Sequence, residues 1–378
     1  MSTLPERYLT AAIRNDLREK MVFVAGPRQV GKTTLAQILI GNYSTGHPAY
    51  LNWDDDVHRK KIKERAWPST ERLIVFDELH KYARWRNMLK GLFDTLHEIH
   101  SFLVIGSARL DYYRKGGDSL LGRYHFYRLH PLSLPELNPS LRDTGRLLQF
   151  GGFPEPFLKA DERQLRRWHV SRLTQLVKED LRDLEHVREI SLIEQLAEML
   201  PDRVGSVLSI KSLSEDLQVD FKTAARWISI LENLYYVYRI PPFGSPKIRA
   251  VKKEQKLYMW DWSQVPETGA RFENMVAAHL LKYCHFTEDF EGYRMELRFL
   301  RDTDRREINF VVLRNKKPIF AVECKTGEKE LSPHIRYFEA RTNIPKFYQV
   351  HLGRTHRSVS ANIHMLPFET FCEMESLV

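Results

Sequence analysis

The chain has 378 residues, 43% hydrophobic and 28% charged, which is ample apolar material for two or three packed domains and excludes a disordered or fibrous chain. Lysine and arginine outnumber aspartate and glutamate by 58 to 49, and the resulting net charge of +9 favours an anionic partner. The 3 cysteines, Cys284, Cys324 and Cys372, lie far apart with no metal-ligand spacing, which excludes a disulfide scaffold. No apolar run approaches ~18 residues, and Met1 to Arg14 lacks a signal-peptide core, so a cytoplasmic chain with no membrane span is expected.

In chain order, Leu4, Tyr8, Leu9, Ala12, Ile13 and Leu17 recur at helical spacing and predict an amphipathic helix over residues 4–20. The apolar run that starts at Val22 predicts a buried strand. It opens into Gly26-Pro27-Arg28-Gln29-Val30-Gly31-Lys32-Thr33-Thr34, followed by a helical pattern through Leu35, Ile38 and Leu39. Strand, Gly-x-x-x-x-Gly-Lys-Thr loop and helix together make a P-loop (Walker A), with ATP as the expected ligand. Gly26, Gln29, Val30, Gly31, Lys32, Thr33 and Thr34 would bind the nucleotide: backbone N–H groups cradle phosphate, Lys32 reaches the β- and γ-phosphates, and the Thr33 hydroxyl joins a Mg²⁺ shell. Ala49 to Asn52 predicts a short second strand. The acidic run Asp54-Asp55-Asp56 and the basic run Arg59 to Lys63 are expected to be solvated faces.

Leu73-Ile74-Val75-Phe76 predicts a buried strand that ends in Asp77-Glu78 (Walker B). In a parallel sheet ligands bind at that end, so Asp77 is placed to hold Mg²⁺ and Glu78 to orient the attacking water. A third strand, Phe102 to Ile105, ends at Gly106-Ser107, which makes Ser107 the candidate sensor of the γ-phosphate. Arg109 and Arg123 are both candidates for a finger that stabilises a phosphoryl group in a neighbouring subunit.

The P-loop, Phe76-Asp77-Glu78-Leu79-His80, Leu121-Gly122-Arg123, Pro131-Leu132-Ser133-Leu134 and Gly151-Gly152-Phe153-Pro154 resemble, in that order, the signatures of AAA+-class prokaryotic ATPases with a C-terminal domain related to PD-(D/E)XK nucleases. The resemblance covers almost the whole chain. It implies that Arg123, in its Gly-Arg motif, is the finger, and by analogy that the protein is a homo-oligomer such as a hexameric ring. Asp77-Glu78-Leu79-His80 also spells a DExH box, but no second nucleotide-binding lobe follows residue 150, which argues against a two-lobed helicase.

Residues 161–200 predict a lid-like helical segment. Ser209 to Leu217 predicts a short helix, and Asp220 is placed to cap a second one with Ala224, Trp227, Ile228 and Leu231 on one face and Lys222, Arg226, Ser229 and Asn233 on the other. With the strand pattern Tyr235 to Ile240, this makes a winged helix-turn-helix whose Lys222 and Arg226 would contact DNA.

Lys247 to Lys256 is expected to be a basic linker leading to the strand Leu257 to Trp260, followed by a helix from Arg271 to Tyr283 that carries Glu273. Glu307 to Leu313 and Ile319 to Lys325 predict two strands, with Glu323 and Lys325 on one face. The resemblance implies a nuclease centre in which carboxylates hold Mg²⁺ and the lysine helps activate water, with Glu273 as the helix carboxylate. Asn309 stands where that centre needs an aspartate, and Glu307 shares its face, so a degenerate site made of Glu273, Glu307, Asn309, Glu323 and Lys325 is expected.

The sequence therefore predicts an α/β chain in three parts. These are an AAA+-like P-loop ATPase domain over 1–160, a helical and winged-helix middle over 161–246, and a restriction-endonuclease-like α/β domain over 247–378. The expected activity is Mg²⁺-dependent ATP hydrolysis by Lys32, Thr33, Asp77, Glu78, Ser107 and Arg123, coupled to DNA. The alternatives are an ATP-dependent switch acting on protein partners and an ATP-dependent nuclease.

Overall fold

The computed structural model describes residues 6–41, 44, 46–106, 120–176, 190–244 and 254–378. The chain divides into two compact units, Met1–His130 and Pro131–Val378.

The first unit is built on five parallel strands, β1 (Met21–Ala25), β2 (Tyr50–Asn52), β3 (Leu73–Asp77), β4 (Ser101–Gly106) and β5 (Tyr124–Arg128), in the order β2-β3-β4-β1-β5. Apart from Leu73 and Ser101, every residue of β1, β3 and β4 is buried, as expected of strands covered on both faces. Met21, Phe23, Ile74, Phe76, Phe102 and Val104 share one apolar cluster with Trp85, Leu89 and Leu92 of the helix Trp85–Leu96. The register aligns Ala25 with Gly106 and Asp77 with Ile105, so the ends of β1, β3 and β4 share one edge of the sheet.

The expected first helix is shortened to Thr10–Asp16. Arg7 and Tyr8 instead spend their side chains on main-chain carbonyls. Arg7 donates to Val30 O at 2.7 Å and to His130 O, and the Tyr8 hydroxyl donates to Arg128 O at 2.5 Å. The acidic run is likewise more than a wet face, since Asp55 caps the helix Asp56–Glu64 and Asp54 accepts from Lys81 at 2.6 Å.

The division falls at His130, ahead of the expected position 160, because the segment after Pro131 packs into the second unit. A Cβ on Gly152 would lie 2.5 Å from both the Leu132 carbonyl oxygen and the Trp262 ring. The Trp262 indole donates to Leu147 O at 2.8 Å, and the Leu134 N–H donates to His279 Nε2 at 3.0 Å.

Within the second unit, the helices Glu162–Gln175 and Ile190–Met199 fall in the expected helical segment. A short helix, Ile210–Asp216, then precedes Phe221–Asn233, whose N-cap Asp220 accepts from the N–H groups of Lys222 and Thr223. Strand β6 (Val237–Ile240) pairs antiparallel with β7 (Lys256–Met259). The helix Thr268–Glu291, longer than expected, packs on a mixed sheet. That sheet contains β8 (Met295–Arg301), β9 (Glu307–Arg314), β10 (Lys317–Lys325), β11 (Phe347–His351), β12 (Arg357–Ser358) and β13 (Ile363–Pro367), in the order β12-β13-β11-β10-β9-β8. β8, β9 and β10 form an antiparallel meander, whereas β10, β11 and β13 run parallel.

Candidate functional site

The loop between β1 and the helix Lys32–Ile40 has the backbone a phosphate cradle needs. Gln29 and Gly31 have φ of 61° and 101°, and Gly31 caps the helix from the left-handed region that favours glycine. Gly26 is fixed for another reason, since a Cβ there would lie 2.4 Å from Leu129 O. Val30 is fully buried and its carbonyl is held by Arg7, while Thr34 sits half-buried in the first helical turn. The Lys32 ammonium donates to the loop's own carbonyls, Gly26 O at 2.9 Å and Pro27 O at 2.8 Å.

Across the sheet edge, Thr33 Oγ1 lies 3.4 Å from Asp77 Oδ2. The Tyr50 hydroxyl on β2 donates to the same oxygen. Burial pushes the Asp77 carboxyl up to about 6, against the Tyr50 hydrogen bond, while the neighbouring Glu78 charge adds to the rise. Burial and the Asp77 charge raise the Tyr50 phenol, which keeps it a donor. Glu78 adopts φ 54°, a strained value for a non-glycine residue, and its N–H donates to Ile105 O at 3.0 Å. Its Oε2 accepts no hydrogen bond among the described residues, although Lys81 Nζ and His80 Nε2 each lie 3.5 Å away. A buried carboxylate oxygen with unused acceptor capacity is suited to holding a water. The arrangement fits a Mg²⁺–nucleotide: Thr33 and Asp77 supply hard oxygen ligands, and Lys32 supplies an ammonium that phosphate oxygens can draw from the carbonyls.

Ser107 and Arg109 lie outside the described residues. Arg123 does not join the P-loop of its own unit. It precedes β5 at the opposite end of the sheet, where its guanidinium bonds both oxygens of Asp94, at 2.7 and 3.2 Å.

A second group of polar residues forms in the C-terminal unit. The Lys325 ammonium donates to Glu323 at 2.8 Å, and Asn309 Oδ1 accepts the Cys324 N–H at 2.8 Å, so the amide is spent on the neighbouring strand. Burial raises the pKa of Glu323, opposed by Lys325. Glu273 and Glu307 meet a different cation. Lys256 corrects the sequence expectation: it is no linker residue but the buried head of β7, 2% exposed, with Nζ 2.5 Å from Glu307 Oε1 and 3.4 Å from Glu273 Oε1. Burial disfavours this ammonium, yet the Glu273 and Glu307 charges outweigh it and hold its pKa above the ordinary value. Among the described residues, no group of three or more His, Cys, Asp or Glu side chains is placed to hold a metal ion.

On the helix Phe221–Asn233, Ala224, Trp227, Ile228 and Leu231 are buried, while Lys222, Arg226, Ser229 and Asn233 are exposed, as is Phe221 at 56%.

Tyr50, Arg7 and Lys256 escaped the sequence reading. Tyr50 had left a trace, an aromatic hydroxyl in a strand expected to lie near the acidic one. Lys256 directly precedes an apolar strand, which was a hint of burial. Arg7 gave no signal, because its partners are main-chain atoms.

Residues 18–138 match the family model of an AAA domain, residues 141–265 a domain of unknown function (DUF8612), and residues 268–371 a domain of unknown function (DUF4143). Uncharacterized proteins of Mycobacterium bovis and Mycobacterium tuberculosis are each 26% identical over 259 residues, covering 68% of this chain and 58% of theirs. The chain thus spans a little over half the length of these relatives. An uncharacterized protein of Methanocaldococcus jannaschii is 22% identical over 370 residues, covering 88% of this chain and 81% of that protein. Among solved structures, a Thermotoga maritima RuvB variant is similar at 17% identity, covering 62% of this chain and 87% of that chain, with a TM-score of 0.31. Thermotoga maritima RuvB, described as a Holliday junction branch migration motor, is similar at 18% identity, covering 61% and 85%, with a TM-score of 0.29. Superpositions this loose carry no argument about the present chain. The match over residues 18–138 supports an AAA+-type ATPase fold for the P-loop region. No described helix is long and apolar enough to cross a membrane.

Proposed function

We propose that the protein is a Mg²⁺-dependent ATPase of the AAA+ type that works as a homo-oligomer and couples hydrolysis to DNA binding or remodelling. The observation that carries the ATPase reading is the convergence of the Lys32 loop, the Thr33 hydroxyl, the Asp77 carboxylate and the Glu78 acceptor at one edge of a parallel sheet. Thr33 and Asp77 would hold Mg²⁺, which when bound neutralises charge on the phosphates. Lys32 exchanges its loop carbonyls for phosphate oxygens, Glu78 orients and polarises the attacking water, and Ser107 contacts the γ-phosphate. Arg123 leaves Asp94 to act on a neighbouring subunit's nucleotide.

The DNA reading is supported by the net charge of +9 and by the helix Phe221–Asn233, which presents Lys222 and Arg226 to solvent and is followed by the antiparallel pair β6–β7, which we read as a helix-turn-helix with a wing. We read residues 247–378 as a restriction-endonuclease-like domain without cleavage chemistry. Glu273, Glu307, Glu323 and Lys325 are the surviving centre, and Asn309 is the lost metal ligand.

The test is steady-state ATP hydrolysis with no DNA and with duplex, single-stranded and branched DNA, Glu78→Gln serving as the inactive control. Stimulation by one DNA form is expected. Hydrolysis that depends on Glu78 but ignores every DNA form would replace the DNA reading with a switch acting on a protein partner.

A further inference from the structure

The three carboxylates of the C-terminal centre each face a cation from the chain itself. Lys325 faces Glu323 at 2.8 Å, Lys256 faces Glu307 at 2.5 Å and Glu273 at 3.4 Å, and Arg301 lies 3.9 Å from the other oxygen of Glu307. The Tyr258 hydroxyl donates to Glu273 Oε1 at 2.7 Å. The Lys256 ammonium is the innermost of the three cations. Its side chain is 3% exposed, and it lies 5.6 Å from the centroid of the Phe299 ring, a face that attracts cations.

We propose that Lys256 is the resident cation of the Glu273–Glu307 pair, so that this centre excludes divalent metal and acts instead as an internal clamp. The proposal rests on the nuclease-like reading of the unit and goes beyond it, because it replaces a missing ligand, Asn309, with an occupied site. Three carboxylates against three cations are already balanced, and a divalent ion placed among them would face a buried ammonium at short range, where like charges repel strongly. A magnesium ion also requires near-octahedral oxygen ligands, whereas Oε1 of Glu307 and of Glu273 are both turned to Lys256. The clamp joins three elements: β7, the Thr268–Glu291 helix and β9. Because β7 pairs with β6, which follows the Phe221–Asn233 helix, the ammonium ties that helix and strand pair to the C-terminal sheet.

The test is Mn²⁺ binding to the full nucleotide-free chain, followed by the EPR signal of free Mn²⁺, with Asp77→Asn in every sample to silence the P-loop site. The parent is expected to show no saturable site. Lys256→Met is expected to gain one per chain, lost again when Glu307→Gln is added, and Mn²⁺ should raise the melting temperature of Lys256→Met but not of the parent. Saturable binding by the parent that Glu307→Gln abolishes overturns the proposal, and so does a folded Lys256→Met chain that binds nothing. If Lys256→Met does not fold, Lys256→Gln takes its place, and the parent measurement stands on its own. Incubating the same samples with DNA separates the two readings. Metal gained by the variant without cleavage upholds the clamp and agrees with a nuclease-like centre that has lost its cleavage chemistry, whereas cleavage by the variant alone upholds the clamp but overturns the reading that cleavage chemistry is lost. Mn²⁺-dependent cleavage by the parent, lost with Glu307→Gln, overturns the clamp.

Discussion

Tyr50 donates its hydroxyl to Oδ2 of Asp77, the same oxygen that lies 3.4 Å from Thr33 Oγ1, so in the proposed site a metal ion held by Asp77 would compete with the phenol for that carboxylate. Tyr50→Phe removes a hydrogen bond that holds the Asp77 carboxyl down against burial, so its pKa moves above about 6. The acid limb of the rate profile for ATP hydrolysis is expected to shift to higher pH, and nucleotide-free stability to fall by roughly 1–3 kcal/mol, as for a buried acceptor left short of a donor. A profile that superimposes on the wild type would show that Tyr50 plays no part in tuning Asp77.

Lys222→Glu with Arg226→Glu reverses two charges on the exposed face of the helix Phe221–Asn233 without touching its buried face. DNA affinity is expected to drop while ATP hydrolysis without DNA is unchanged. If both residues contact phosphates, the slope of log affinity against log salt should fall by about 2. A fluorescence-anisotropy titration at several salt concentrations measures both. Unaltered affinity removes this helix from the interface.

Arg123 is held by Asp94 through two hydrogen bonds, at the opposite end of the sheet from Gly26 and Asp77. A finger working in trans makes a distinctive prediction. Arg123→Ala and Lys32→Ala are each expected to lose hydrolysis, while an equimolar mixture recovers part of it, because mixed assemblies contain an interface with an intact P-loop on one side and an intact arginine on the other. A mixture as inactive as its components confines Arg123 to its pairing with Asp94.

Two buried groups set opposite pH slopes on stability. His279, held neutral between the Leu134 N–H and Met275 O, has its pKa lowered to about 3, chiefly by burial. Its contribution is full above the ordinary histidine value of 6.5 and is lost as pH falls from there toward 3. Asp77, raised to about 6 from 3.8, contributes fully below its ordinary value and loses that contribution as pH rises through about 6. Melting curves of nucleotide-free protein between pH 4 and pH 7 are expected to show a flatter acid limb in His279→Gln. In Asp77→Asn the decline toward neutral pH should be smaller. Parallel curves for wild type and variants would remove these two groups as the source of the slope.

What was legible in the sequence was what repeats locally. The P-loop announces itself because glycines, lysine and threonine must stand at fixed spacing, and Asp220 because a cap must sit beside the N–H groups it accepts. The faces of the helix Phe221–Asn233 were legible for the same reason, since period and burial coincide. Residues whose role depends on distant partners were not legible. Lys256 looked like the last member of a basic run, and only the fold brings it to Glu307, 51 positions on. Asp261, fully buried, is held by Ser263 at 2.6 Å and by His169 and Arg172 at 3.3 and 3.7 Å, a cluster that no periodicity reveals. Gly152 was visible as part of a signature but not for its reason, which is the close approach of Leu132 and Trp262.

The lysine of the P-loop bonds to Gly26 O and Pro27 O, and Arg7 grips the same loop at Val30 O. Such a loop carries its own template. In the proposed site, nucleotide arrival would be an exchange of one set of oxygens for another at a preshaped surface, with little chain ordering left to oppose it. On the proposed ATPase reading, product release would return Lys32 to the same carbonyls, and each cycle would start from the same geometry.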